Sequence, residues 1–489
     1  MISIGGTIGT GLFVGSGSSL SQAGPAGALV AYMICAVMVL CVLQSLAEVA
    51  TYMPVSGSFT TYGIRFLDPA LGFALGWNYY YSFITVVAAD LVAASILVQF
   101  WLPDITGIWA SFALLIIMVL INAFGASSFG EGEFYMALVK VVAVIAFVIV
   151  GVIVAAGGIG HRTYGFDNWK IEGAPFHNGF GGLMSCFIVA GFSFQGTEMI
   201  GVTAGESKNP RRDVPRAIRS AFWRVLLFYI CTIFVIGLIV PWSDPRLIDS
   251  SVDNVAQSPF VIMFQNAGIN WGAHVLNAVI LTSVLSAGNS GLYLTTRTLY
   301  TLSKDGMAPK IFGRTLKNGT PWTALAFNTV VSLALFAISF IGNQVIYTWL
   351  VNLSGISGFM AWAGISAEQW RFRRAYVRQG YRVEDLPYKS FMFPLCPIFA
   401  GVLLFIVIFG QGYPAFQNGF DSTLFFSAYI GIPAFIIVYA VWKVVKKTKW
   451  VKLDEVDVIT DSWIAQACGL AVQKNYARSR DSAFDTRSL

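Results

Sequence analysis

The chain has 489 residues, of which 56% are hydrophobic and only 11% charged, with a formal net charge of +6. Apolar stretches of about 20 residues, long enough to cross a bilayer, recur from end to end. This excludes a soluble domain and a single targeting signal, and runs of this length do not fit the short alternating segments of a β-barrel.

Hydropathy predicts an all-α polytopic membrane protein with twelve spans, at 2–21, 26–52, 70–101, 106–122, 133–157, 180–203, 219–241, 270–303, 322–342, 345–370, 392–411 and 423–446. The third and eighth exceed the bilayer thickness and are expected to tilt. Residues 158–179 read as an outer loop and 449–489 as a solvated cytoplasmic tail. With the N-terminus inside, all basic residues except Lys140, Arg162, Lys170 and Arg246 fall at inner loops or the tail, which is 27 of 31. That bias follows the positive-inside rule and accounts for the net charge without a nucleic-acid partner. The first span begins so near Met1 that the natural start is expected upstream. Six cysteines lack metal-ligand spacing, and the three histidines, His161, His177 and His274, are dispersed, so neither a metal nor a cofactor is expected.

Two spans are interrupted by glycine. The first, "SIGGTIGTGLFVGSG" (3–17), holds six glycines and breaks at Gly9, Thr10 and Gly11. The sixth, "SCFIVAGFSFQGTEMIGVTAGE" (185–206), breaks between Gly191 and Gly196. Glycine costs close to 1 kcal/mol relative to alanine inside a helix, so repeated glycines need a reason. Close helix packing explains one such helix. Two, each opening a set of five spans, point to an inverted-repeat transporter. Unwound backbone near the midplane is tolerated only where it lines a cavity or meets a ligand. Amides near Gly11, at the positive end of a half-helix, suit a carboxylate. Carbonyls near Gly191, Phe192 and Ser193 suit an ammonium. Together the breaks fit an α-amino acid.

The stretches "GGTIGTGLFVGSG" (5–17), "YMPVSGSF" (52–59), "GFSFQGTEMIG" (191–201), "GESKNPRRDVPRAI" (205–218) and "SAGNSGLYLTTRTLYTLSKDGMAP" (286–309) resemble the amino acid transporter branch of the amino acid–polyamine–organocation superfamily. Within that branch, "ALGWNYYYSF" (74–83), "VAADLVAAS" (87–95), "AQSPF" (256–260) and "RFRRAYVRQG" (371–380) most closely resemble the bacterial lysine-specific permeases. The resemblance implies a LeuT-like fold with spans 1–5 (1–157) and 6–10 (180–370) as inverted repeats and spans 11–12 (392–446) peripheral. It also implies proton-driven uptake of L-lysine across the inner membrane of a bacterial cell, with arginine, ornithine or a neutral amino acid as alternatives.

Ionisable residues inside a membrane are functional candidates by default. Lys140, about 10 Å into the fifth span, stands where sodium-coupled relatives of this fold hold sodium between the first and eighth spans. The resemblance lets its ammonium replace that ion or take part in proton coupling, against Gly5 or Gly6 carbonyls and the hydroxyls of Ser283, Ser286 or Ser290. Glu198, just inside the second break, suits a substrate cation or the coupling proton. Asp90 divides between the substrate pocket and a structural polar network. Glu206, roughly 12 Å below Glu198, reads as a gate beside Lys208, Arg211 and Arg212. Glu48 reads as structural. Phe192 and Phe194 flank the break, where an aromatic can close over the substrate and attract its ammonium; Phe192 also counts as a gate.

No converging catalytic set and no Walker-type phosphate loop is present, which disfavours an enzyme and an ATP-driven pump. A channel would want a continuous filter or charge ring. A membrane amino acid sensor using the same pocket is the alternative of a different class, and measurable flux separates the two.

Overall fold

The computed structural model describes residues 8–55, 57–102, 107–160, 162–205, 207, 209–248, 258–338, 343–417 and 419–467. The described chain is helical throughout, with a single isolated bridge between Gln417 and Gly419. The principal helices are α1 (Thr10–Phe13), α2 (Gly15–Tyr52), α3 (Pro69–Gln99), α4 (Gly107–Ala123), α5 (Ala126–Ala155), α6 (Gly179–Phe194), α7 (Met199–Ala204), α8 (Pro210–Arg224), α9 (Cys231–Ile239), α10 (Asn270–Lys304), α11 (Trp322–Ile338), α12 (Asn343–Arg378), α13 (Leu395–Gly410), α14 (Ser422–Tyr429) and α15 (Gly431–Lys446). Among the described residues, seven helices are long and apolar enough to cross a membrane. The pair α14–α15, bent by 40°, makes an eighth, and three shorter apolar helices accompany them.

Local chemistry sets several boundaries. Asp68 caps α3 by accepting the Ala70 N–H at 2.9 Å, with Pro69 at the first helical position where no donor is needed. Asp421 caps α14 through the N–H groups of Thr423 and Leu424. Within α2 the chain kinks at Gly24 (φ 73°), followed by Pro25. There the Ala23 carbonyl accepts the His177 N–H at 2.9 Å, and the Ala26 N–H reaches the Pro175 carbonyl at 3.0 Å. The 162–178 segment thus satisfies backbone groups that the kink frees. Between α8 and α9 the chain passes through a π-helical segment, Val225–Ile230.

The helices pack with α2 on α6, α3 between α10 and α12, and α12 also against α6. Polarity is distributed opposite to that of a water-soluble protein. Ile116, Leu120, Val142, Phe405, Ile437 and Val441 project outward, whereas Asp90, Glu133, Lys140, Glu198 and Glu368 are buried. An apolar exterior around a polar interior is what a bilayer solvent selects.

Two expectations change. The helix predicted at 345–370 runs on to Arg378, lengthened by about two turns that carry Arg371, Arg373, Arg374 and Arg378. The tail is not solvated along 449–467. Val456, Val458 and Ser462 are buried, and the segment lies as a strap across the basic end of the molecule. Tyr52 Oη donates to the Val458 carbonyl (2.9 Å), and Arg65 donates to the Thr460 carbonyl (3.0 Å) and to Asp461 (2.6 Å). Gln379 donates to the Leu453 and Val456 carbonyls, Arg378 pairs with Asp454 at 2.7 Å, and Arg211 stacks over Trp463. Composition alone missed this because much of the docking is made by backbone carbonyls, which carry no sequence signature, and the side-chain partners are far apart along the chain.

Glu48 behaves structurally, as expected. Its fully buried carboxylate accepts two donors from Arg373 and the Ser390 N–H at 2.7 Å, and the Arg373 guanidinium covers the Phe393 ring. Glu48→Gln leaves that guanidinium buried without its counter-charge. The expected loss is about 3–5 kcal/mol of stability, read as a lower midpoint of thermal unfolding in detergent. Arg65→Met removes the strap's charged anchor, worth about 2 kcal/mol. Residues 450–467 should then exchange amide hydrogens and be cleaved by protease faster than in the parent chain, while α2 and α12 stay protected.

Candidate substrate and coupling site

Among the described residues, the helical path is irregular at two glycine-rich stretches that lie against each other. At the first interruption Gly9 is extended (φ −150°, ψ −148°), α1 lasts one turn, and Val14 separates it from α2. At the second, α6 ends at Phe194, Gln195 turns extended, Gly196 takes φ +92°, and α7 begins after Glu198. Only a residue without a side chain adopts the Gly196 conformation cheaply. The two interruptions touch. A Cβ on Gly11 would stand 2.6 Å from the Ser193 Cα, so glycine is what lets the backbones meet.

Freed backbone groups find partners near both interruptions. The Phe13 carbonyl accepts the Ser258 hydroxyl at 2.5 Å, and the Ser193 carbonyl accepts the Tyr229 hydroxyl at 2.8 Å. The Ser193 carbonyl, expected to be open for an ammonium, is thus occupied by tyrosine. The Ser193 hydroxyl donates to the Val189 carbonyl and lies 3.0 Å from the Tyr32 hydroxyl. Phe194 packs on Tyr229 (4.4 Å between ring centroids) and Tyr32 (5.9 Å), and Phe192 is buried beside it.

Glu198 is 1% exposed. Its carboxylate accepts the Gly196 N–H at 3.1 and 3.2 Å and the Trp362 indole N–H at 3.1 Å, with the Tyr79 hydroxyl alongside. It therefore caps the broken backbone from within. Gln195 ties the same break to two other helices, donating to Ser82 of α3 and accepting from Ser354 of α12 at 2.6 Å. A cavity of about 120 Å³ opens above, lined in part by Gly15, Ser18, Ser185, Val189, Tyr347 and Asn352.

The structure brings Thr10 and Asp90 together, with the Thr10 hydroxyl donating to Asp90 at 2.8 Å across 80 residues of sequence. Asp90 is thereby tied to the glycine-rich stretch at Gly9–Gly11. Lys140 is fully buried and feels the charges of Glu133 and Asp90. Ser286 donates to Glu133. Gly5, Gly6, Glu206 and Lys208 lie outside the described residues.

Sequence reasoning missed Glu133, Gln195 and Trp362. A signal for Glu133 existed, because it stands seven residues before Lys140 and so on the same helix face. Placing the span's edge at residue 133 made it a boundary residue. The helix in fact starts at Ala126, which carries Glu133 into the interior.

The amino acid permease family pattern matches residues 1–455. The chain is 49% identical over 458 residues to the lysine-specific permease of Escherichia coli K12, covering 93% of this chain and 94% of that protein. It is 46% identical to the lysine-specific permease of Lactococcus lactis (94% and 91% covered) and 44% identical to the histidine permease of the same organism (94% and 96%). Among solved structures, a manganese transporter mutant from Eremococcus coleocola superposes with a TM-score of 0.52 at 14% identity, covering 91% of this chain and 94% of that one, and so shares the fold. The chain belongs to the amino acid permease family: it is a multi-pass membrane transporter and not an enzyme.

Proposed function

We propose that this permease is a proton-coupled importer of L-lysine that works by alternating access in the cytoplasmic membrane. Its architecture is a LeuT-like 5+5 inverted repeat of twelve spans with the first and sixth broken, the kink at Gly24 dividing the first from the second. Both termini face the cytoplasm, because the arginine-rich end holding Arg65, Arg211, Arg371 and Arg378 is then inside.

One observation carries the reading. Two interrupted helices meet at Gly11 and Ser193, with a buried carboxylate, Glu198, at one break and a buried Asp90–Lys140 pair of charges beside the other. The backbone at Gly9, Thr10 and Gly11 receives the substrate carboxylate. The segment Phe192–Phe194 with Glu198 receives its ammonium groups, once the Tyr229 hydroxyl yields the Ser193 carbonyl. Phe192 shields the site, and Glu206 guards the inner mouth. Lys140 serves coupling.

Lysine is supported by the names of the two lysine-specific relatives, while the histidine permease at 44% identity marks the nearest competing side chain. Arginine, ornithine and neutral amino acids remain competitors to be tested.

Purified protein in liposomes with an inward proton gradient is expected to accumulate labelled L-lysine. Unlabelled lysine should block this, and histidine, arginine, ornithine and leucine should not. Equal competition by histidine would overturn the lysine assignment, and lysine binding without flux would identify a sensor. Glu198→Gln removes the negative charge at the break. Lysine uptake should fall at least 30-fold, corresponding to about 2 kcal/mol for a buried charge partner, while neutral competitors lose less.

A further inference from the structure

Asp90, Glu133 and Lys140 place two carboxylates and one ammonium in the same dry region, each with less than 1% of its surface exposed. One ammonium cannot neutralise both acids, and a second buried anion is expensive. Each carboxylate keeps one oxygen without a hydrogen-bond partner, so what separates them is where the other oxygen is tied. Glu133 accepts the Ser286 hydroxyl of α10. Asp90 accepts a single donor, Thr10, on Oδ1, and its Oδ2 has no partner.

Among the described residues, few groups face Asp90. From α1 comes Thr10, from α5 Lys140, and from α12 the Tyr347 hydroxyl. From α10 comes Gly288, where an added Cβ would stand 3.4 Å from that of Asp90. Tyr347 also lines the 120 Å³ cavity, and its hydroxyl has no hydrogen-bond partner. It therefore stands between that cavity and Asp90.

Resting on the proton-coupled reading above, we propose that Asp90 is the seat of the coupling proton, reached from the cavity past Tyr347, since of the two carboxylates it is the one bonded to the first break. The proton binds the open Oδ2, converting the carboxylate to the neutral acid, and leaves from the same oxygen toward the inner side. Ionised Asp90 holds Thr10 through its hydroxyl, and neutral Asp90 accepts that bond more weakly. The proton thereby acts on the broken helix that receives the substrate carboxylate.

The test uses the full-length protein in liposomes, comparing gradient-driven lysine accumulation with lysine counterflow at zero gradient. Asp90→Asn, which fixes the neutral form, should lose at least tenfold in accumulation while counterflow stays measurable, with its pH dependence flattened. Glu133→Gln frees the Lys140 charge to pair with Asp90, so the pH midpoint of uptake should move to lower pH. A purely structural role for Glu133 would not produce that shift. Asp90→Asn retaining gradient-driven accumulation with the parental pH profile overturns the proposal. If Asp90→Asn loses counterflow as well, Glu133→Gln decides: a midpoint that stays or rises overturns it. A parent protein that exchanges lysine but ignores the gradient refutes the proton-coupled reading itself and, separately identifiable, removes the ground for Asp90.

Discussion

Every backbone group freed by breaking a helix in a water-poor interior must find a partner, and the centre of this protein is arranged around that requirement. Each unmet donor or acceptor costs on the order of a few kcal/mol. Glu198 turns back onto the Gly196 amide, Tyr229 covers the Ser193 carbonyl, and Ser258 covers the Phe13 carbonyl. These partners come from different helices, so the breaks hold their shape only while the surrounding bundle is assembled. In the proposed binding mode a substrate exchanges with them, so the same groups stabilise the site and compete with the ligand.

The ends of the molecule are secured by a different kind of interaction. At the basic end, Glu48 and Arg373 pair in the interior, and the 449–467 strap gathers Tyr52, Arg65, Arg378 and Gln379. At the opposite end, the backbone of Pro175 and His177 closes the kink at Gly24. The proposed alternating access would require one set of end contacts to loosen while the other holds. The strap joins α2 and α12, so movement between those helices stretches it.

Between the breaks and the ends lies a polar interior that does two jobs. Gln195 joins the second break to Ser82 and Ser354, a mechanical link between three helices. The Asp90–Lys140–Glu133 group instead couples charge to the first break through Thr10. Hydrogen bonds of this sort are strong in a low-dielectric medium and costly when incomplete.

Much of this was legible in the sequence. Hydropathy dictated an all-helical membrane protein, glycine clusters marked the interruptions, and motif stretches placed the chain in its family. Asp90, Lys140 and Glu198 stood out because charge inside an apolar run is expensive whatever surrounds it. Pairing was not legible. Thr10 meets Asp90, Glu48 meets Arg373 and Arg65 meets Asp461 across 80, 325 and 396 positions. Periodicity along one helix says which residues are buried and nothing about which distant residue answers them. Gln195 was passed over for that reason, and so was the docked tail, whereas Glu133 was passed over because its helix starts at Ala126, earlier than the hydropathy edge. Composition is a property of the chain, so it determined solvent and element type; partner choice is a property of how helices cross, so only the tertiary structure decided it.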